Sequence, residues 1–235
     1  MSGAEPFIGP AVEGIKWAAP KGWALLQSWW LGKELLIVGQ ARAGKTTLRN
    51  YLQLGEFDDA VPTEETPEIE ETERFQVTVG TRSALKLFVS RAIDSPGQVG
   101  SIEHANYAYD RNPHALIIVL DLTTPFEGDP DRASGSWLRR FCKRYETLWR
   151  ANPKNKKNRV KAIIVVVNKA DKVDPVTLEK RTKEYRDIVE SELKDAKGKI
   201  TGSVGVLPCS VVTNPNGEKL VGRVVDQLTK AVARS

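Results

Sequence analysis

A glycine-rich loop near the start of the chain has residue types and spacing suited to binding phosphate. Residues 39–46, GQARAGKT, fit the pattern G-x-x-x-x-G-K-[ST]. The glycines let successive backbone N–H groups turn toward an anion, and the helix after such a loop adds the positive end of its dipole. Lys45 would reach the outer phosphates, and the Thr46 hydroxyl would ligate Mg²⁺. The predicted phosphate-binding residues are Gly39, Arg42, Ala43, Gly44, Lys45, Thr46 and Thr47.

The flanks of this loop distinguish it from an ordinary glycine-rich turn. Residues 34–38 form an apolar run typical of a buried strand, and residues 47–52 have a helical pattern. A strand before the loop and a helix after it are the context that the phosphate-binding pattern requires.

A second group of polar residues, DSPGQ at positions 94–98, follows a predicted strand. A carboxylate at the end of a strand can hold Mg²⁺ through water, so Asp94 is a candidate metal ligand. Gly97 gives a backbone N–H close access to a terminal phosphate. Gln98 can accept from and donate to an attacking water at once, which would orient it. Asp, Pro and Gly are also common in turns, so this segment alone fits a surface turn equally well.

A third group, NKAD at positions 168–171, matches the N-K-x-D pattern of guanine recognition. Guanine presents two neighbouring N–H donors, and an ionised Asp171 can accept both, whereas adenine would leave a buried carboxylate unpaired. The stem of Lys169 can cover the face of the base, and the Asn168 amide can tie this segment to the phosphate loop. The alternative is a polar strand-to-helix turn, but the apolar strand before the tetrapeptide favours guanine recognition.

A fourth segment, Cys209-Ser210-Val211, follows the last predicted strand. In this position a backbone N–H would reach the guanine carbonyl oxygen. The segment is a weak pattern by itself, and its weight comes from its order and location in the chain.

Alternating strands and helices position these groups. The predicted strands are 34–38, 75–79, 84–93, 115–120, 162–167 and 204–207, and the predicted helices are 47–52, 137–149, 175–196 and 217–233. A short turn containing Gly80 joins the second and third strands as a hairpin, so one strand runs antiparallel. The order predicts an α/β fold of three layers, with a mostly parallel sheet of about six strands and one antiparallel edge strand.

Composition narrows the class of protein. The 235 residues are 40% hydrophobic and 28% charged, as in a soluble globular domain. The two cysteines argue against a disulfide framework and suit a reducing cytosol, so we expect a cytoplasmic protein. The net charge of +5 hides an acidic segment at 56–73, which holds nine acidic residues and no Lys or Arg. We find no nucleic-acid recognition motif and expect no nucleic-acid partner.

With these motifs in this order, residues 33–235 resemble a Ras-superfamily small GTPase of the P-loop NTPase class. The run LGEFDDAVPT at 54–63 is most similar to the ADP-ribosylation factor group. The resemblance implies a Ras-like G domain that binds GTP and GDP with Mg²⁺ and hydrolyses GTP as a molecular switch. It makes Thr63 the switch I threonine, whose hydroxyl would bind Mg²⁺ and whose N–H would contact the γ-phosphate. Thr66 is a weaker alternative.

The resemblance also assigns catalytic roles. Gln98 would orient the attacking water, while Lys45 and Mg²⁺ would neutralise charge on the phosphates. Hydrolysis is slow in such proteins without an arginine at the transition state, which is worth roughly 10³–10⁵ in rate, so activating and exchange partners are expected. Arg42 occupies the loop position where the guanylate-binding proteins carry an internal arginine. It would act in cis, with dimerisation as one route, and the alternative is a side chain that points to solvent.

Residues 1–32 are predicted to be a Trp-rich, amphipathic N-terminal extension to the G domain at 33–235. The extension holds four of the six tryptophans, and Pro10 and Pro20 would interrupt any long helix. Position 2 is Ser2, so the myristoylation common in the ADP-ribosylation factor group is not expected. Docking on the G domain or on a protein partner is favoured over peripheral membrane contact, and a strap over the domain's own core is the simplest alternative.

The sequence leaves three classes of function to compare. The favoured one is a GTP-hydrolysing switch, whose acidic switch I predicts a protein effector with a basic surface. The second is a GTP-locked structural or membrane-docking subunit with little turnover, which Gln98 argues against. The third is an ATP-dependent P-loop enzyme such as a kinase, which the guanine pattern at 168–171 argues against.

Overall fold

The chain divides into two units, residues 1–31 and 32–235. The computed structural model describes residues 33–54, 70–73, 75–79, 85–94, 100–151, 159–194, 196, 200, 203–210 and 215–232, all in the second unit. The extension predicted at 1–32 lies outside the described residues, so its boundary and its docking roles stay predictions.

The described part of the chain contains seven strands and five helices, joined by loops. The strands are β1 (Lys33–Gly39), β2 (Glu70–Glu71), β3 (Phe75–Val79), β4 (Leu85–Asp94), β5 (Ala115–Asp121), β6 (Ala162–Asn168) and β7 (Ser203–Pro208). The helices are α1 (Lys45–Leu54), α2 (Ser101–Arg111), α3 (Ser134–Ala151), α4 (Pro175–Glu192) and α5 (Pro215–Val232), and a 3₁₀ turn spans Ala170–Lys172.

The strands form one sheet in the order β2-β4-β1-β5-β6-β7, with β3 also paired to β4. The pairs β4–β1, β1–β5, β5–β6 and β6–β7 are parallel, whereas β2 and β3 run antiparallel to β4. Parallel strands end at the same edge of a sheet, so the carboxyl ends of five strands meet there. That edge carries the phosphate loop after β1 and the guanine pattern after β6.

Side-chain alternation along the buried strands explains the three layers. Leu36 and Val38 of β1 pack on the side that holds α2, α3 and α4. Leu35 and Ile37 pack on the opposite side with Leu48 of α1 and residues of α5. The central strands are buried on both faces, which is why they read as unbroken apolar runs in the sequence.

The predicted α/β architecture with a parallel sheet and flanking helices is present, but two elements were not predicted. Helix α2 buries Ser101, His104, Ala105, Ala108 and Tyr109, which follow a helical period with small and polar residues. A search for large apolar residues therefore misses it. The two-residue strand β2 carries only glutamates and adds a second antiparallel segment, so the described sheet has seven strands rather than about six.

Among the described helices, none combines the length and the apolar character that a membrane-spanning segment needs.

Candidate functional site

The phosphate-binding pattern forms a tight loop between β1 and α1. Positive φ angles occur at Gly39 (145°), Arg42 (58°) and Gly44 (90°). Such changes of backbone handedness direct neighbouring N–H groups into a common concavity, as anion-binding nests do. A Cβ on Gly39 would lie 2.0 Å from the Val119 carbonyl oxygen, and one on Gly44 would lie 2.4 Å from the Asn168 side-chain nitrogen. Both positions favour glycine by conformation; at Gly39 the clash is with backbone, whereas at Gly44 a Cβ would displace the Asn168 amide.

Lys45 is held across the loop rather than extended into solvent. Its side chain is buried, and its Nζ donates to the Gln40 carbonyl oxygen at 3.0 Å. Lys45 is also the first residue of α1, so the phosphate loop leads directly into the N-terminus of that helix. An anion at this position would gain from both the helix dipole and the nearby ammonium. The arrangement therefore suits a phosphate group, and Thr46 and Thr47 continue the same helical turn.

The guanine pattern is joined to the phosphate loop by a direct hydrogen bond. Asn168 ends β6 and is only 3% exposed. Its Nδ2 donates to the Ala43 carbonyl oxygen at 2.7 Å, across a sequence separation of 125 residues. The predicted tie between the two motifs is thus present in the structure. Lys169 then adopts a left-handed conformation (φ 62°), which turns the chain from the strand into the 3₁₀ turn.

The segment after β7 contacts the same turn. The Cys209 carbonyl oxygen accepts from the Ala170 N–H at 3.0 Å, and the hydroxyl of Ser210 donates to Oδ1 of Asp171. A carboxylate has about four lone-pair sites, so Asp171 keeps acceptor capacity on both oxygens for a base edge. Cys209 and Ser210 are therefore beside the guanine pattern, while Val211 lies outside the described residues, and contact of this segment with guanine stays a prediction.

Burial raises the pKa of the Cys209 thiol to about 12. The thiol is buried and is not part of a disulfide. Its role is therefore in packing and in placing the adjacent backbone rather than in nucleophilic chemistry.

Two further residues of this site, Asp121 and Gln40, were missed by the sequence analysis. Asp121 ends β5 and lies between the two motifs, opposite Asn168 in the β5–β6 register. Its Oδ2 accepts from Lys169 Nζ at 2.5 Å, and its backbone N–H donates to Gln40 Oε1 at 3.4 Å. A signal existed for Asp121, because it is a polar residue at the carboxyl end of an apolar strand, the criterion that selected Asp94 and strengthened the case for Asn168. Gln40 gave no signal, since its position in the loop pattern accepts any residue.

Arg42 is exposed and has a left-handed backbone conformation. It lies within the phosphate loop, and its role in hydrolysis stays a prediction.

Of the four predicted site residues that remain, the structure describes only one, and only its backbone. Thr63, Gly97 and Gln98 lie outside the described residues. For Asp94 the backbone is described: it ends β4 and is paired in register with Ile37 of β1, two residues before the phosphate loop. In the described part of the chain no group of three or more His, Cys, Asp or Glu residues is arranged to hold a metal ion. A Mg²⁺ site of the predicted kind needs no such group, because hydroxyl, phosphate and water oxygens supply most ligands.

Comparison with known proteins gives support at the level of the fold. No protein-family model matches the sequence, and the search of curated proteins gives no match. Among solved structures, the chain is similar to a bacterial selenocysteine-specific elongation factor, EF-Sec, with a TM-score of 0.50 and 17% sequence identity. The match covers 87% of this chain and 29% of that one. It supports a fold of the P-loop GTPase type, and it does not favour the ADP-ribosylation factor group.

Proposed function

We propose that this protein is a small GTP-binding protein that hydrolyses GTP to GDP and acts as a Mg²⁺-dependent molecular switch for a protein effector. The observation that carries the proposal is the hydrogen bond from Asn168 Nδ2 to the Ala43 carbonyl oxygen. It joins a phosphate-binding loop to an N-K-x-D segment, so one ligand can contact both. A ligand with a triphosphate at one end and guanine at the other has that chemistry.

Guanine is favoured over adenine by the acceptor at Asp171. The side chain is 27% exposed, and one of its oxygens is oriented by the Ser210 hydroxyl. An oriented carboxylate accepts from two adjacent donors, and guanine offers such a pair. Adenine offers no such pair, which weighs against an ATP-dependent kinase.

Hydrolysis on this site would be mostly positioning and charge stabilisation. Lys45 would contact the β- and γ-phosphates, Gln98 would orient the attacking water, and the N–H groups of Gly97 and Thr63 would contact the γ-phosphate. Mg²⁺, when bound, neutralises negative charge on these phosphates; Thr46 would hold it, with Thr63 and Asp94 as the other predicted ligands. Loss of the γ-phosphate would release the two segments that carry Thr63 and Gly97, which is how hydrolysis becomes a signal.

The finer assignment rests on sequence alone. The run at 54–63 is the reason to place the protein near the ADP-ribosylation factor group. The acidic stretch at 56–73 supports an effector with a basic surface. Activating and exchange partners, dimerisation, peripheral membrane contact through residues 1–32 and a cytoplasmic location belong to the same proposal.

Substitution of Asp171 by Asn tests guanine recognition directly. An amide offers one acceptor and one donor, which suits xanthine, whose C2 carbonyl replaces the exocyclic amine of guanine. We expect D171N to lose GDP affinity by at least tenfold and to gain affinity for xanthosine diphosphate, measured by competition against a fluorescent nucleotide. Unchanged preference for GDP would contradict the assigned role of Asp171.

The GTP-locked subunit remains the second candidate, and turnover separates it from the switch. Purified protein should release phosphate from GTP in single-turnover assays, and Gln98→Leu should slow that release without weakening GTP binding. Stable retention of GTP with no phosphate release, with or without Gln98, would favour the subunit.

A further inference from the structure

We infer that Asp121 is a positioning residue of the nucleotide site, which fixes Lys169 against the turn that recognises guanine and links that turn to the phosphate loop through Gln40. The inference rests on the proposed function, since it concerns the same ligand. It assigns a role to a residue that matches neither of the two motifs.

The Asp121 carboxylate is shared between two sets of donors. Its side chain is only 6% exposed, and its Oδ2 accepts from Lys169 Nζ at 2.5 Å. The other oxygen, Oδ1, accepts from the Thr123 N–H at 2.8 Å and from the Thr123 hydroxyl at 2.6 Å. The Thr123 contacts fix the orientation of the carboxylate. Its other oxygen, Oδ2, is therefore an oriented acceptor for the ammonium of Lys169.

Asp121 is also connected to the phosphate loop. Gln40, which is 3% exposed, accepts from the Asp121 N–H through Oε1 at 3.4 Å. Its Nε2 donates to the Arg132 carbonyl oxygen at 3.2 Å, in the segment that leads into α3. The amide of Gln40 therefore bridges the loop that carries Lys45 and the end of β5 that carries Asp121.

These contacts matter because Lys169 is a long side chain that is 34% exposed. An unrestrained lysine loses much rotamer freedom when its stem packs against a ligand. Pairing with Asp121 imposes that order before the base arrives, which lowers the entropy lost on binding. The expected benefit is in the affinity for the nucleoside part of the ligand, and it should be the same for GDP and GTP.

Asp121→Asn is the direct test, because asparagine keeps the shape and the Oδ1 acceptor for Thr123 but loses the charged oxygen that holds Lys169. We expect GDP to bind about tenfold more weakly, the scale of one charge-assisted hydrogen bond in a partly exposed site. The KM for GTP should rise by a similar factor while kcat at saturating GTP stays within about twofold. Asp187→Asn makes the same chemical change on the exposed side of α4 and should leave both constants unchanged.

A double-mutant cycle decides whether Asp121 acts through Lys169. Lys169→Met keeps the apolar stem and removes the ammonium, so in that background Asp121→Asn should change GDP affinity less than twofold. Equal effects in both backgrounds, or a loss of kcat without a rise in KM, would overturn the inference. If Asp121→Asn is poorly folded, Lys169→Met alone still tests it: a GDP affinity equal to that of the unmodified chain would refute the need for an anchored ammonium.

Failure of this inference can be told from failure of the proposed function. If the unmodified protein binds neither GDP nor GTP, the function itself is wrong. If it binds both and Asp121→Asn binds equally well, only the positioning role is refuted.

Discussion

Removing the amide of Asn168 is expected to weaken both the fold and nucleotide binding. Asn168 and Ala43 are 3% and 0% exposed, and the bond between them, at 2.7 Å, is buried. Truncation to alanine deletes the donor and leaves the Ala43 carbonyl oxygen without it, which costs about 1–3 kcal/mol. Taking about 2 kcal/mol for the loss, urea denaturation should show that decrease in the free energy of unfolding. The same amount expressed in GDP affinity is roughly a thirtyfold rise in Kd.

Asn106→Ala is the matched control. Asn106 lies on α2 and its Oδ1 accepts from Arg144 Nε at 2.7 Å, so the control also removes a side-chain amide that holds two segments together. It should reduce stability without changing the Kd for GDP, measured by displacement of a fluorescent analogue. A Kd for Asn168→Ala within twofold of the unmodified protein, with stability reduced, would refute the claim that this bond couples the two halves of the site.

A second substitution probes the same contact from the other side. A Cβ at Gly44 would lie 2.4 Å from Asn168 Nδ2, so Gly44→Ala should displace that amide. In the Asn168→Ala background this clash is absent, but the positive φ of 90° at position 44 is still strained. The double variant should therefore lose less stability than the sum of the two single variants, and strict additivity would contradict the close contact.

Three further outcomes are expected. Gly39→Ala should prevent folding, because the new methyl would lie 2.0 Å from the Val119 carbonyl oxygen; a soluble, cooperatively unfolding variant would contradict this packing. Arg42→Gly keeps the left-handed backbone without its strain, so stability should be unchanged or higher. If Arg42 acts in cis, single-turnover GTP hydrolysis should slow by roughly a thousandfold in this variant. An unchanged rate would refute the role. Burial and nearby basic residues lower the pKa of His114 to about 4, and its Nδ1 accepts from the Glu34 N–H at 3.1 Å. Since the unfolded chain takes up this proton near pH 6.5 and the folded chain does not until about pH 4, stability should fall as pH drops through that range, and His114→Gln should flatten the urea-denaturation profile there.

The central fold followed from the sequence because its strands and loops obey simple rules. The runs at 115–120 and 162–167 are apolar at every position. Such a run is expected of a strand that helices cover on both faces. The phosphate loop and the N-K-x-D segment each follow such a strand, so their positions at the carboxyl edge could be predicted. The hydrogen bond between Asn168 and Ala43 confirms that they meet.

Elements that depend on long-range packing could not be predicted in the same way. Helix α2 buries Ser101 and His104 in place of large apolar residues, and only the surrounding layer reveals that these positions face the core. Strand β2 consists of Glu70 and Glu71, whose side chains give no strand signal and whose pairing depends on β4. The contact of Asp121 with Lys169 joins positions 48 residues apart and has no local pattern.

The most direct test of the central claim is the nucleotide that the chain selects. The full-length protein, stripped of ligand and supplied with Mg²⁺, should be titrated with GDP, GTP, ADP and ATP by isothermal calorimetry. Both guanine nucleotides should bind at one site and both adenine nucleotides should bind at least a hundredfold more weakly, because Asp171 has no donor pair to accept from adenine. Equal or tighter binding of ATP, or no binding of any nucleotide, would contradict the account.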